Sequence, residues 1–202
     1  MELSSAIPPK RLWAVRLAVL VAGLGSIATS MALPPVSAQT TFDGKPFLIR
    51  SEAPMATRTF RLELSQKEDK PHRMEVRLDG QLEVHWRQDD PSVQSASTLV
   101  RARVSVAGAE GAVSPWSESM PLLATKPGEA ARPTTLLLNT FPSSCELSST
   151  CEWRGTLEVE LVPNGVPGVA EVAWKLTSQA TENTNEGKDE PLEGIELRIT
   201  EE

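Results

Sequence analysis

Along most of this chain apolar and polar residues alternate one by one. Phe60, Leu62 and Leu64 are separated by Arg61 and Glu63, Met74, Val76 and Leu78 by Glu75 and Arg77, and Leu82, Val84 and Trp86 by Glu83 and His85. A period of two sends successive side chains to opposite faces of an extended backbone, so each segment reads as a strand with one buried face. The pattern returns in Val100, Ala102, Val104 and Val106, in Leu157, Val159 and Leu161, in Val172, Trp174 and Leu176, and in Ile195, Leu197 and Ile199. Weaker candidates at 117–124 and 134–140 bring the expectation to about eight or nine strands. No segment beyond residue 38 carries a 3.6-residue apolar stripe, and Pro and Gly recur too often for long helices. Strands with one apolar face each must stack on another sheet. The expected fold is therefore all-β, a mostly antiparallel β-sandwich that follows an N-terminal signal helix.

Register sharpens this at two turns. A two-residue turn at Asn164-Gly165 pairs Val159 with Ala170 and Leu157 with Val172, placing both apolar sets on one face, and so predicts a tight hairpin. At Asp79-Gly80 a two-residue turn sets Val76 against Glu83. A three-residue loop, Leu78-Asp79-Gly80 with Gly80 left-handed, instead pairs Val76 with Leu82 and Met74 with Val84, and is the predicted form. Residues 39–57, interrupted by Pro46 and Pro54, read as an extended lead-in to a domain over 58–202. Pro127-Gly128 and the stretch to Pro133 mark a candidate sub-boundary near 125–133. A half of about 70–85 residues is marginal alone, which favours one sandwich with a long crossing loop. Thr181 to Pro191, rich in Asn, Glu, Lys and Thr, reads as a solvated, mobile loop.

The N-terminus has another character. Lys10, Arg11 and Arg16 precede a charge-free run from Leu17 to Leu33, then Pro34-Pro35 and Val36-Ser37-Ala38. This is the order of a cleavable secretory signal over residues 1–38, with the cut between Ala38 and Gln39. The alternative is an uncleaved anchor, because about 20 apolar residues suffice to cross a bilayer. No Cys stands near the cut to take a lipid. The whole chain has net charge -7; cleavage removes three basic residues and one acidic, leaving 17 against 26 and a net charge of -9. An acidic chain repels phosphate backbones and anionic lipid, so nucleic acid is not an expected partner, nor is a transmembrane segment expected after cleavage. The expected location is secreted or periplasmic, at the cell envelope. The lack of Asn-x-Ser/Thr sequons fits a bacterial source.

An oxidising compartment lets the two cysteines, Cys145 and Cys151, form a disulfide. Closing so short a loop stabilises by about 2–2.5 kcal/mol in the chain-entropy model, which clips one turn. Catalytic redox pairs stand two residues apart rather than five, and no further Cys or His is close in sequence to complete a metal site.

The stretch Val100-Arg101-Ala102-Arg103-Val104-Ser105-Val106-Ala107, with Gly111 and Ser114-Pro115-Trp116-Ser117, resembles the last hairpin of fibronectin type III modules. Gln81 to Pro91 is similar to their early Trp-bearing strand. The resemblance covers under a fifth of the chain. Val100 stands where that family has Tyr, and Trp86 lies only 14 residues before it, leaving no space for the intervening strands. The likeness is therefore read as shared sandwich physics, not membership.

Trp86 and Trp174 are in phase with core positions, and Trp153 lies close to the disulfide. Trp116, beside Ser114, Ser117 and Glu118, is the Trp placed for exposure, and these four residues form the candidate binding surface. Glu182, Thr184, Glu186, Gly187 and Glu193 mimic a calcium-loop spacing, but Pro191 intrudes, Asp189 takes an apolar position and no helices are expected to flank it. Asp89-Asp90-Pro91 reads as a turn. His72 and His85 lack a nucleophile elbow, a lone reactive Cys or a paired His, so no catalytic residue, metal ligand or cofactor is assigned. The functional expectation is an extracytoplasmic interaction or structural protein that binds another envelope protein or a surface glycan. The alternative is a secreted hydrolase or enzyme inhibitor acting through the loops.

Overall fold

The period-two pattern is realised as strand after strand. The computed structural model describes residues 36–67, 70–89, 98–107, 115–122, 132–140, 143–162, 167–183 and 192–202, and every regular element among them is extended. These residues form eleven strands: β1 (Val36–Asp43), β2 (Phe47–Arg50), β3 (Met55–Gln66), β4 (His72–Gln88), β5 (Leu99–Ala107), β6 (Met120–Pro121), β7 (Thr134–Asn139), β8 (Ser143–Leu147), β9 (Thr150–Val162), β10 (Gly168–Glu182) and β11 (Ile195–Glu201). The signal helix expected at the N-terminus lies outside the described residues.

Two antiparallel sheets share one core. The first is built on β4 and β10, paired from Gly168 opposite Gln88 to Glu182 opposite Met74. β1 and β2 together flank β10, while β7 and β8 together flank β4, so each edge of this sheet is assembled from two short strands. The second sheet has the order β11-β3-β9-β5-β6. Met74, Val76, Leu78, Leu82, Val84 and Trp86 of β4 and Val172, Trp174 and Leu176 of β10 face inward. They meet Phe60, Leu62 and Leu64 of β3, Val100 to Val106 of β5, and Leu157 to Leu161 of β9. Burying side chains of this size contributes roughly 1.5–3 kcal/mol each, and it is the sheet-on-sheet contact that realises it.

Two glycines are required by close approach. A Cβ on Gly155 would lie 2.1 Å from Cζ of Phe60, its cross-strand partner, so the ring fills the space left by the missing side chain. A Cβ on Gly44 would lie 1.9 Å from Cε2 of Trp174, whose Nε1 donates to Lys45 O at 3.0 Å. The indole thus pins the break between β1 and β2, with Phe42 packed edge-on at 5.6 Å.

Several expectations change. There is no hairpin between 157–161 and 170–176: β9 lies in the second sheet and β10 in the first, so the chain crosses the sandwich between them. Both apolar faces do point to one core, but from opposite sides. There is also no turn at Asp79-Gly80. β4 continues straight through, Gly80 sits opposite Leu176 and Leu138, and the only glycine with positive φ among the described residues is Gly194. Alternation holds its phase from Met74 to Trp86, which suits one long strand as well as a hairpin. Residues 39–57 are part of the sheets, forming most of β1, all of β2 and the start of β3, with Pro46 and Pro54 between strands. Thr181 and Glu182 end β10 rather than open a loop; residues 184–191 lie outside the described residues.

Candidate functional site

The outer face of the second sheet carries charge in cross-strand pairs. Arg101 and Arg103 project outward from β5 because Val100, Ala102 and Val104 take the inner face. Their partners across the ladder are Glu160 and Glu158 of β9. Arg101 Nη2 lies 2.7 Å from Glu160 Oε2, and Arg103 Nε donates to Glu158 Oε2. The bond to Glu158 is the main reason the Arg103 guanidinium is held above its ordinary value.

Trp116 lies over both arginines. The Arg101 and Arg103 Cζ atoms are 4.7 and 4.6 Å from its ring centroid, within cation–π range. The segment is fastened by its neighbour: Ser117 N donates to Ala102 O at 2.8 Å, and Ala102 N donates to Ser117 Oγ at 3.0 Å. Further on, β6 pairs Met120 with Val100 and Pro121 with Leu99, and Leu122 N donates to Thr98 O at 2.8 Å. Trp116 is half-buried, Ser117 likewise, and Glu118 is exposed, its carbonyl accepting from Ser117 Oγ. Ser114 lies outside the described residues. The structure thus joins Trp116, Ser117 and Glu118 to four residues that the sequence motif does not single out, Arg101, Arg103, Glu158 and Glu160. The available signal was two arginines spaced by two on the outward face of β5.

Among the described residues the other tryptophans, Trp86, Trp153 and Trp174, are all buried in the core. Cys145 and Cys151 are bonded, with Cα atoms 6.6 Å apart. Their setting exceeds a turn clip, because β8 belongs to the first sheet and β9 to the second, so the bridge ties the two sheets together. Ala38 and Gln39 stand within β1, opposite Ala180 and Gln179; a cut between them leaves Gln39–Asp43 in the strand.

The histidines do not converge. His72, at the start of β4, has Nδ1 at 3.0 Å from Glu182 Oε1 at the end of β10, with side chains only 15% and 10% exposed. His85 is half-buried on the outer face at the other end of β4, opposite Glu171. Thirteen extended residues separate them, roughly 43 Å at about 3.3 Å per residue. Two shallow furrows cross the outer face of the first sheet. One, of 290 Å³, is lined by Asp43, Gln81, Glu83, Ala173, Trp174 and Lys175, and the other, of 230 Å³, includes Asp79, Leu137, Asn139 and Thr177. Neither is lined by a histidine. Among the described residues no three His, Cys, Asp or Glu side chains are grouped to hold a metal ion.

No protein-family model and no curated protein matches this sequence. Among solved structures, the chain is similar to one of the infectious bursal disease virus Gx strain, at 10% identity and TM-score 0.35, over 81% of this chain and 39% of that one. It is similar also to dimeric latent PorU from Porphyromonas gingivalis, at 9% identity and TM-score 0.32, over 75% of this chain and 14% of that one. A third is the infectious bursal disease virus VP2 subviral particle, at 11% identity and TM-score 0.24, over 76% and 46% of the two chains. The chain spans less than half the length of each. Likenesses of this size assign no family and no function.

Proposed function

We propose that this chain is an extracytoplasmic β-sandwich that binds another envelope protein or a surface glycan through the Trp116 face of its second sheet. The observation that carries this reading is the clasp: an indole laid across Arg101 and Arg103, each fixed in turn by Glu160 or Glu158. A half-exposed Trp held rigid before a partner arrives loses little freedom on binding, and Trp and Arg dominate the energetics of recognition surfaces. The reading of residues 1–38 as an export signal and the disulfide support a location outside the cytoplasm; among the described residues no helix is long and apolar enough to cross a membrane. The competing hydrolase reading has the His72–Glu182 pair, a base with an orienting carboxylate, and it requires a nucleophile brought to that pair.

The test is a pull-down from envelope extract with the chain beginning at Gln39, beside the same chain carrying Trp116→Ala. The expected result is a partner retained by the first and lost from the second, and then bound directly once purified, with an affinity drop of tenfold or more, about 1.4 kcal/mol, on the substitution. Equal retention by both proteins removes Trp116 from the proposal.

A further inference from the structure

The outer face of the first sheet is laid out in rows that cross the strands. One row runs Asp43, Lys175, Gln81 and Leu137, each opposite the next in the ladders of β1, β10, β4 and β7. The row on one side of it holds Thr177, Asp79 and Asn139, and the row on the other side holds Ala173 and Glu83. These side chains point outward because Trp174, Leu176, Leu82 and Leu138 take the core positions between them. Ala173 is the smallest of the outward set, and it lies level with the break between β1 and β2, so the face is hollow there.

The two furrows follow these rows. Gln81 and Lys175 line both, so the hollows of 290 and 230 Å³ adjoin and form one depression across the sheet. Ligand pockets commonly measure about 300–1,000 Å³, a range that neither hollow reaches by itself and that the joined depression enters. From β1 to β7 there are three strand spacings, roughly 14 Å at about 4.8 Å each. Part of the polar lining is fixed beforehand. Arg77 Nε donates to Asp79 Oδ1 at 3.2 Å, and the Asn139 amide, oriented to suit its neighbours, donates to the same oxygen at 3.0 Å and keeps its own oxygen as an acceptor. Lys175 Nζ lies 3.9 Å from Asp43 Oδ1. Gln81 and Glu83 have no side-chain partner among the described residues. Leu137, at 72% exposure, is the most exposed large apolar side chain among them.

We propose that this depression binds a neutral oligosaccharide laid across the strands from β1 to β7. The chemistry of the lining selects that class. A sugar hydroxyl both donates and accepts, and both kinds of partner are present: the Gln81 amide supplies each, Glu83 and Asp79 accept, and Lys175 donates. Saccharide rings also carry apolar C–H faces, for which Leu137 and Ala173 are the matching surfaces. In the lining three carboxylates, Asp43, Asp79 and Glu83, stand against the single ammonium of Lys175, so phosphate, sulfate and uronate groups are repelled. The span accommodates about three pyranose rings. Because the depression runs from one edge strand to the other, it takes internal units of a longer chain. Side chains already held in place lose little freedom on binding. The site lies on the opposite sheet from Trp116 and does not rest on the reading of that face.

Nitrogen-labelled chain purified after export, titrated in heteronuclear NMR with maltotriose, cellotriose, tri-N-acetylchitotriose and the anionic trigalacturonate, tests this. The expected result is that at least one neutral trisaccharide shifts the amides of Gln81, Leu137, Ala173 and Lys175, with a dissociation constant of about 0.1–10 mM, as suits a shallow site. Trigalacturonate leaves them in place. Gln81→Ala, which removes the side chain common to both hollows, weakens binding about tenfold. Ala173→Glu, which fills the hollow on a solvent-facing position, abolishes it. Both variants keep the amide spectrum of the parent at residues of the second sheet, so lost binding is told apart from lost fold. The proposal is overturned if no neutral trisaccharide shifts these amides, if trigalacturonate binds as tightly, or if folded Gln81→Ala and Ala173→Glu bind as the parent does. Shifts centred on the Trp116 indole instead would assign the saccharide to the other sheet and overturn it too.

Discussion

Single residues here are explained by which face they occupy and what lies opposite. Phe60 is fully buried, and its ring covers Gly155 on the neighbouring strand. Gly155→Ala would bring a methyl within 2.1–2.7 Å of three atoms of that ring, and the surrounding core holds the ring in place. The expected cost is about 1–3 kcal/mol, as for other overpacked cores, read from the urea midpoint at constant slope. A change below a few tenths of a kcal/mol would mean that the ring does not rest on the glycine. Alternation alone placed Phe60 inside but said nothing of Gly155, because a glycine's partner is visible only when the strands are paired. Trp116 follows the same logic. Its arginines are legible as outward residues of β5, whereas their convergence on one indole depends on the segment folding back through Ser117 and Ala102.

Among the elements, the strands were legible and their partners were not. The inward residues of β3, β4, β5, β9 and β10 are those that the period of two selects. Yet β9 and β10, adjacent in sequence with Asn-Gly between them, enter different sheets, since a crossing buries the same two faces as a hairpin does. β8 and β9 make the same crossing, and there the disulfide spans it. Replacing both Cys145 and Cys151 by Ser is expected to lower stability by about 2–2.5 kcal/mol, from the short loop released in the unfolded chain. For a domain of this size that corresponds to roughly 4–10 °C in Tm. The fold survives the loss, because β8 keeps its ladder with β4 from His72 to Val76. Calorimetry of the double variant measures this; unfolding at room temperature would show that the bridge, rather than the core, holds the two sheets together.

For the whole molecule, long-range pairing makes the two sequence halves inseparable. β4, from the first half, is flanked by β7, β8 and β10 of the second, and β9 of the second half lies between β3 and β5 of the first. Cutting near the candidate boundary therefore divides every sheet. Residues 39–125 and 132–202, expressed separately, are each expected to remain unfolded by circular dichroism and to recover strand content when mixed. An independently folded half would require a second core. Pairing between distant segments also places this chain among slow folders, since loops must close before strand contacts repay them.

The short separation of Cys145 and Cys151 put them near enough to bond, and the alternation of apolar and polar residues was enough to establish that the chain is all-β and which side chains face the core. It was enough because a strand's two faces are set locally, by the backbone's own repeat. Tertiary structure alone decided which strands are neighbours, that Gly80 lies mid-strand, that residues 39–57 complete the sheets, that the disulfide joins two layers, and that Trp116 lies across two paired arginines. Each of these depends on contacts between distant residues, and a period of two, identical in every strand, does not identify its partner.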